Sequence, residues 1–356
     1  MGHHIGDLSN WETLRSFREG IEHFERVFAV APQVVAHDLH PEYLSTKEAL
    51  AREGVEAVAV QHHHAHLCAC LAEHGETGPA LGAIYDGTGY GTDGDVWGGE
   101  LLAGGLDGFE RPGRLWTVRM PGGERAVREP WRMACAWLAE LEGSEPALPP
   151  ALAGLVPEER WRQVAALVQS GVASPRTSSM GRLFDAVAAL CGVRAEVHYE
   201  GQAAVELEAL ATQAGLEGEG YPLPLDEGVL DARPTLEALR ADLGAGMPAG
   251  RVAARFHAGV AAGTARACAA LAGQRGLDTV VLSGGVFQNR LLLEATTRAL
   301  AREGLRVLRP ERLPPNDGGI AYGQAAVAAA AGQPRPAYQS PKTSPNAPSN
   351  GTSTVR

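Results

Sequence analysis

Four histidines within five positions, in residues 62–66, separate two segments of different periodicity. The segment before them, residues 55–60, alternates and is rich in valine, which is typical of a β-strand. The segment after them, residues 67–74, contains helix-forming residues and ends before a glycine. The sequence therefore predicts that the histidines lie on the first turns of a helix. Because residues four apart share a helix face, His62 and His66 can reach one metal ion.

A pair of imidazoles needs at least one further ligand to form a metal site. Asp86 offers one, since it follows a short apolar strand-like run. Asp317 offers another, although it can also serve as the N-cap of the helix predicted at residues 320–331. The two other histidines of the run, His63 and His64, are predicted to pack around the site or to support its ligands.

The composition is that of a soluble globular protein. Of 356 residues, 45% are hydrophobic and 21% are charged. The net charge of -11 argues against a nucleic-acid-binding surface. The sequence contains neither a long apolar run that could span a membrane nor a signal peptide, which predicts a cytoplasmic location. The five cysteines form no C-x-x-C pair and are predicted to be reduced and structural.

A glycine-rich segment begins at Asp86 and reads Asp-Gly-Thr-Gly-Tyr-Gly. Residues 89–94 satisfy the pattern G-x-G-x-x-G, but the residues that follow resemble a strand rather than a helix, which excludes a dinucleotide-binding fingerprint. A strand–turn–strand hairpin of this kind can surround a phosphate with backbone N–H groups. The residues predicted to contact the phosphate are Gly87, Thr88, Gly89 and Gly91.

A second glycine pair, Gly284 and Gly285, follows a buried strand predicted at residues 279–282. Glycines allow the backbone to approach a ligand closely, and the N-terminus of the following helix favours anions. Together with Asn289, these glycines are predicted to contact a nucleotide.

Residues 111–250 are predicted to be mainly helical, and they contain two polar islands. Arg182 and Asp185 lie three residues apart on one helix face, and Glu200 and Gly201 precede a second helix. Both islands have two interpretations, because such residues contact ligands but also cap helices.

A polar segment that contains His37 and His40 follows a strand predicted at residues 33–36. In α/β folds, ligands bind at the carboxyl ends of strands. The alternative is a polar loop whose aspartate caps the next helix.

The order of these elements predicts two α/β lobes with ligand loops facing a cleft between them. This layout resembles the superfamily of actin, the sugar kinases and Hsp70. Residues 1–110 are predicted to form the N-terminal lobe, with the helix at 317–332 packing back on it. Residues 111–316 are predicted to form the C-terminal lobe with a helical insertion, and residues 333–356 a disordered tail.

The resemblance becomes specific at nine motifs. In order along the chain, they are residues 4–8, 37–43, 61–66, 86–91, 97–100, 181–185, 199–204, 283–289 and 316–319. Together they resemble the C-terminal module of the HypF carbamoyltransferases, which act in the maturation of NiFe hydrogenases. That module is related to the tRNA-modifying protein TsaD.

The resemblance implies a metal bound by His62, His66, Asp86 and Asp317. Such mixed imidazole and carboxylate ligands suit iron or zinc and do not distinguish between them. It also implies a nucleotide substrate, ATP, AMP or carbamoyl-adenylate, and an acceptor, the C-terminal cysteine of the partner HypE. His37, His40 and Arg182 become candidates for orienting the carbamoyl group or accepting a proton.

The acylphosphatase, zinc-finger and YrdC-like domains of full-length HypF have no counterpart in this sequence. The resemblance therefore implies that carbamoyl-adenylate is supplied by a separate module. Two alternatives stay open: an O-carbamoyltransferase that acts on a sugar or antibiotic hydroxyl, and a non-catalytic nucleotide-binding subunit. The acidic charge disfavours a tRNA-modifying role.

Overall fold

The structure is a computed structural model that describes residues 2, 5, 6, 8, 10–216 and 218–332. Two sequence predictions fall partly or wholly outside these residues. They are the motif at residues 4–8, of which positions 4 and 7 are not described, and the tail at residues 333–356.

The helices predicted from the sequence form, with ends shifted by a few residues. The α-helices of the described residues are α1 (Trp11–Phe28), α2 (Leu44–Leu50), α3 (His62–Glu73), α4 (Arg125–Arg128), α5 (Trp131–Glu142), α6 (Glu158–Ser170), α7 (Met180–Leu190), α8 (Gln202–Ala214), α9 (Arg233–Gly244), α10 (Ala249–Arg275), α11 (Arg290–Arg302) and α12 (Ile320–Ala331). Short 3-10 helices cover Pro150–Leu152, Gly285–Gln288 and Asp317–Gly319.

The strands predicted from the sequence form as well. The strands of the described residues are β1 (Val34–Asp38), β2 (Glu56–Val60), β3 (Ala80–Tyr90), β4 (Val96–Gly105), β5 (Gly108–Leu115), β6 (Val118–Arg119), β7 (Arg176–Thr177), β8 (Leu225–Asp226), β9 (Val229–Leu230), β10 (Thr279–Ser283) and β11 (Arg306–Leu308).

The strands form a small parallel sheet of β1 and β2 and a large mixed sheet. The order in the large sheet is β11-β10-β3-β4-β5-β9-β8. β10 runs parallel to both of its neighbours, whereas β3, β4 and β5 are antiparallel. This is the predicted two-lobed α/β fold. The lobe boundary at residue 110 stays a prediction, and the large sheet joins strands from both sides of it.

The largest buried cluster lies between the large sheet and the helices packed on it. Every residue of α7 is buried, and so is most of α10. Among the bulky side chains in this core are Trp131, Trp137, Trp161, Phe184 and Phe256. Burial of one such side chain contributes about 1.5–3 kcal/mol to the free energy of folding, and Phe184 makes this contribution from α7 itself.

The close approach of α12 to α3 depends on a glycine. A Cβ atom added to Gly323 would lie 1.9 Å from the carbonyl oxygen of Ala65 in α3. Only a residue without a side chain fits at this crossing. As a result, the segment that precedes α12, with Asp317, lies next to the first turns of α3.

The glycine-rich segment differs from the predicted hairpin turn, because most of it lies within strand β3. β3 pairs with β4 over residues 80–85 and again at 89–90, and the register shifts between the two stretches. The hydroxyl of Ser179, at the start of α7, donates a hydrogen bond to the carbonyl of Gly87 at 2.6 Å. The register shift marks a β-bulge, and this hydrogen bond connects the bulge to α7. The hairpin turn itself lies at residues 91–95.

All five cysteines carry free thiols, as predicted. Among the described residues, no helix combines the length and the apolar composition needed to cross a bilayer.

Candidate functional site: a histidine–aspartate cluster beside a cavity

The first turn of α3 places the histidines as the sequence predicts. Gln61 is the N-cap of this helix, and its side-chain oxygen accepts a hydrogen bond from the backbone N–H of His64 at 2.9 Å. His62 and His66 lie one turn apart on the same face, with side chains only 2% and 1% exposed. The helix start thus buries two imidazoles side by side.

The structure brings all four predicted metal ligands together. One ligand atom from each of His62, His66, Asp86 and Asp317 lies within 4.8 Å of every other, and we call this group the histidine cluster. Asp86 Oδ2 lies 3.1 Å from Nε2 of His62 and 3.6 Å from Nε2 of His66. Asp317 Oδ1 lies 3.6 and 3.5 Å from the same two nitrogens. Its side chain is 71% exposed, so this carboxylate forms the open side of the cluster.

A fifth residue, Asp38 at the end of β1, contacts the ring nitrogen of His62 that faces away from the cluster. Its Oδ2 lies 2.8 Å from Nδ1 of His62. A proton on Nδ1 leaves Nε2 free to face the cluster, and such a carboxylate contact is typical of metal-binding histidines. The role of Asp38 was missed in the sequence. The only signal for it was an aspartate at the carboxyl end of a predicted strand.

In the histidine cluster, contacts between imidazoles and carboxylates shift the pKa values more than burial does. Burial alone would lower the pKa of His62, but hydrogen bonds with the carboxylates of Asp317, Asp38 and Asp86 raise it well above its usual value. Burial would also lower the pKa of His66, but the nearby carboxylates of Asp317 and Asp86 raise it above its usual value. Conversely, burial would raise the pKa of Asp86, and the two imidazoles hold it well below its usual value. The pKa of Asp317 is likewise lowered to about 2. The cluster therefore favours ionised carboxylates with a cation between them.

The residues present fit a divalent metal ion. Nε2 of His66 is buried and has no hydrogen-bond partner among the described residues. A buried imidazole nitrogen without a partner is costly, and a metal ion would satisfy it. Two nitrogen and two carboxylate oxygen donors suit iron or zinc better than magnesium or calcium.

A cavity of about 400 Å³ opens beside the cluster. Its walls include seven of the predicted nucleotide-contacting residues, which are Gly87, Thr88, Asp185, Glu200, Gly201, Gly285 and Asn289, together with Arg182 from the predicted catalytic set. Both Asp86 and Asp317 line it, so the cavity and the cluster meet. Its volume lies in the range of small-molecule sites, about 300–1,000 Å³.

Arg182 gives this cavity a buried positive charge. The residue is 2% exposed, and its Nε lies 3.0 Å from Oδ2 of Asp185. Burial raises the pKa of Asp185 to about 6, although Arg182 acts to lower it. Nη1 of Arg182 has no hydrogen-bond partner among the described residues. A buried guanidinium with free N–H groups is suited to bind a phosphate or a carboxyl oxygen.

Asn289 is held by a neighbour that the sequence did not reveal. Nε2 of His257, in α10, lies 2.9 Å from Nδ2 of Asn289, and Nδ1 of His257 lies 2.7 Å from the carbonyl of Ala253. Nδ1 therefore carries the proton, and Nε2 accepts a hydrogen bond from Asn289. Oδ1 of Asn289 caps α11 by accepting from the N–H of Leu292 at 2.8 Å. One N–H of the Asn289 carboxamide remains for a ligand.

The structure places five of the predicted residues outside this cavity. His37 lines a different cavity, between α1 and β1, and its Nδ1 contacts the carbonyl of Asp38. His40 and Gly89 lie on the other side of the glycine-rich bulge. Gly91 packs against Trp97, and Gly284 against the backbone of Tyr85, and neither lines the cavity. At both positions, the absence of a side chain permits this close packing.

His63 and His64, which lie between the two ligand histidines in the sequence, make packing contacts. Nε2 of His64 lies 2.7 Å from the carbonyl of Gly105. His63 faces Gly89, where an added Cβ would lie 2.4 Å from its ring. Gly89 thus lets β3 approach the histidines.

Comparison with known proteins identifies the family that this chain matches. Residues 82–324 match the family model "Carbamoyltransferase, Kae1-like Domain, second subdomain", and residues 1–73 match the "HypF Kae1-like domain". Carbamoyltransferase HypF2 of Cupriavidus necator is 43% identical over 362 residues, which cover 91% of this chain and 43% of HypF2. A carbamoyltransferase HypF homolog of the same organism is 41% identical, over 91% of this chain and 84% of its own length.

A solved structure is similar in the same way. Full-length HypF in a phosphate- and nucleotide-bound form superposes with a TM-score of 0.85 at 39% sequence identity, over 92% of this chain. The chain spans less than half the length of HypF2 and 51% of that solved chain. From the family models and these identities, the chain belongs to the HypF family of carbamoyltransferases and matches its Kae1-like domain.

Proposed function

We propose that this chain transfers a carbamoyl group from carbamoyl-adenylate to the C-terminal cysteine thiol of HypE, a cytoplasmic step in the synthesis of the cyanide ligand of NiFe hydrogenase. One observation carries the proposal: the histidine cluster lies at the mouth of a cavity that contains the buried, incompletely bonded guanidinium of Arg182. A metal site next to an anion-binding cavity suits an acyl transfer from a nucleotide. Membership of the HypF family supports the carbamoyl group as the one transferred.

The side chains of His62, His66, Asp86 and Asp317 would hold a divalent ion. When bound, iron or zinc supplies Lewis-acid chemistry at a carbonyl or phosphoryl oxygen.

The residues of the cavity orient the donor. Arg182 binds an oxygen of the adenylate phosphate with its free N–H groups. Asn289 donates its remaining N–H to the nucleoside part, and Gly285 lets the backbone approach it. Thr88 and the bulge at Gly87 line the space left for the carbamoyl group.

The reaction then exchanges one bond for another. The acceptor sulfur forms a bond to the carbamoyl carbon, and the bond from that carbon to the phosphate oxygen breaks. AMP leaves with the electron pair, and the proton of the thiol passes to a base or to solvent. His40 is the proposed base, because it faces the bulge next to Thr88. We assign His37 a supporting role through Asp38.

The donor must be made before it is transferred. In this proposal, a YrdC-like module supplies carbamoyl-adenylate, with the acylphosphatase and zinc-finger modules of HypF upstream of it. The lobe division at residue 110, with the 317–332 helix in the first lobe, belongs to the same proposal.

The test uses the purified chain loaded with iron or zinc. It is mixed with carbamoyl-adenylate and with a synthetic peptide that ends in cysteine. We expect release of AMP and gain of one carbamoyl group on the peptide sulfur, measured by mass spectrometry. A peptide that ends in serine is the control.

Two outcomes would contradict the proposal. Transfer to an aminoglycoside hydroxyl but not to the thiol would identify an O-carbamoyltransferase. Nucleotide binding without transfer to any acceptor would identify a non-catalytic subunit.

A further inference from the structure

A further cleft borders the bulge of β3, where its register shifts between residues 85 and 89. It lies on the other side of this bulge from the cavity that contains Arg182 and Asn289, which we call the nucleotide cavity. Its volume is about 730 Å³, larger than the nucleotide cavity. Among the described residues, Thr88 and Glu200 are the two that line both spaces. The two spaces therefore meet at one narrow place, which is next to the proposed position of the carbamoyl group.

The wall at this place is the side chain of Glu200. A Cβ atom added to Gly87 would lie 2.6 Å from Oε1 of Glu200, and that oxygen lies 3.5 Å from Nη2 of Arg182. The side chain of Glu200 is 58% exposed and reaches across from the segment before α8 to the bulge. It separates the two spaces without filling either.

Aromatic side chains line the cleft. Tyr43, Tyr90 and Tyr199 are 37%, 38% and 59% exposed. The ring of His40 stacks on Tyr43, with ring centres 4.1 Å apart, and lies edge-on to Tyr90 at 5.2 Å. Tyrosines of this kind are enriched where proteins bind other chains, because they offer large contact areas at a low entropic cost.

One cation of the cleft, Arg128 of α4, is free to pair with a ligand. It is exposed, and no carboxylate of the described residues lies within ion-pair distance of it. Its neighbour Glu129 is engaged by three other arginines, Arg125, Arg132 and Arg160. Three acidic residues line the cleft. Asp95 lies 3.9 Å from an arginine, and Glu200 lies 3.5 Å from another. Glu124 is the third, and among the described residues it has no ion-pair partner.

We infer that this cleft binds the C-terminal segment of the acceptor polypeptide, with Arg128 pairing with its terminal carboxylate. The inference rests on the proposed function, since it names the path by which the thiol reaches the donor. The leaving nucleotide occupies the first cavity, so the acceptor must approach through a different opening. The cleft at Thr88 is such an opening, and the tyrosines contact the backbone of an extended peptide.

The cavity between α1 and β1 is a weaker choice for this path, although it reaches His62 and Asp317. It does not border the glycine-rich bulge. Both of its arginines are already paired, Arg18 with Glu48 and Arg52 with Glu25, so neither is free for a carboxylate.

The test compares two peptides on two proteins. The peptides are ten residues long, end in cysteine, and carry either a free C-terminal carboxylate or an amide. The proteins are the metal-loaded wild type and Arg128→Met. Carbamoyl transfer is followed over a range of peptide concentrations, and peptide binding is measured separately by fluorescence anisotropy. Arg162→Met, an exposed arginine of α6 outside the cleft, is the matched control.

For the wild type, we expect amidation to raise the KM for the peptide about fivefold, the size of a partly exposed ion pair, with little change in kcat. Arg128→Met should raise the KM of the acid peptide by the same factor and leave the amide peptide unchanged. Arg162→Met should change neither value. Nucleotide binding should be the same in all three proteins, because Arg128 does not line the nucleotide cavity.

Transfer by the wild type with equal KM for both peptides, or an equal effect of Arg128→Met on both, would overturn the cleft assignment and leave the proposed function intact. Absence of transfer by the wild type to either peptide, with nucleotide still bound, would instead overturn the proposed function and this inference with it.

Discussion

The histidine cluster and the His257–Asn289 pair lie beside the same cavity but are stabilised in opposite ways. The cluster gathers ionisable groups whose pKa values are strongly shifted, and one of its nitrogens, Nε2 of His66, lacks a partner among the described residues. The pair is neutral, and its imidazole has a partner at both nitrogens. The first arrangement needs a bound cation to complete it, whereas the second is completed by the protein itself.

The largest expected effect is the loss of metal from the cluster. His66→Ala removes one of two imidazole ligands, and we expect the affinity for zinc or iron to fall more than about a hundredfold, beyond what loss of an outer contact costs. The measurement is a metal titration against a competing chelator. His64→Gln is the matched control on the same helix, because its ring contacts Gly105 and not the cluster. Retention of metal by His66→Ala would refute the cluster as the binding site.

The next effect is expected in the pH dependence of the free energy of unfolding, and it comes from the neutral His257–Asn289 pair. Burial lowers the pKa of His257 to about 4 from an ordinary value of 6.5. Between pH 4 and 6.5, the unfolded state binds more protons at this histidine than the folded state does. The free energy of unfolding therefore rises with pH through this window, and the stabilisation from neutral His257 is lost as the pH falls towards 4. The contribution at pH 7 relative to pH 4 is about 3 kcal/mol.

His257→Gln keeps a neutral side chain that can bond with Asn289 and should remove this part of the slope. Urea unfolding of both proteins at several pH values between 4.5 and 7 measures it. Equal slopes for wild type and variant would show that His257 is not buried in its neutral form.

The packing of α12 on α3 should be the next most sensitive feature, because it carries Asp317 to the cluster. Gly323→Ala places a methyl group against the backbone of Ala65, and overpacking of this kind costs about 2 kcal/mol. We expect a lower melting temperature and weaker metal binding together. Gly273→Ala in α10 meets no atom of the described residues within 4 Å and should be neutral or slightly stabilising. A stable Gly323→Ala protein with normal metal affinity would contradict the close crossing.

The smallest effect should come from Asp38, whose contact with the cluster, within the described part of the chain, is through His62. Asp38→Asn keeps the shape of the contact but removes its charge, and we expect about a tenfold loss of metal affinity. The exposed carboxylate of Asp226 in β8 provides the control variant, Asp226→Asn. If Asp38→Asn matched the effect of His66→Ala, Asp38 would be a ligand rather than a support.

Local sequence was enough to predict the elements on which the site is built. The valine-rich alternation before residue 61 and the helix formers after residue 66 predict β2 and α3, because strand and helix periods are local properties. The spacing of His62 and His66 then follows from helix geometry alone. The two aspartates could be named as candidates because each follows a strand-like run or precedes a helix.

Local sequence could not predict contacts between distant segments. Asp38 and His62 are 24 residues apart, and His257 and Asn289 are 32 residues apart. Their pairing depends on how strands and helices pack. The same applies to His37 and His40, which are close in sequence but face different cavities.

The sequence by itself determined the chemistry of this protein: which side chains can bind a cation, which glycines let a backbone approach a ligand, and which family the motifs belong to. Tertiary structure alone decided which of those side chains meet. The physical reason is that the order of the strands in the large sheet and the glycine crossing of α12 on α3 bring residues 62, 86 and 317 to one point, and no local pattern encodes that distance.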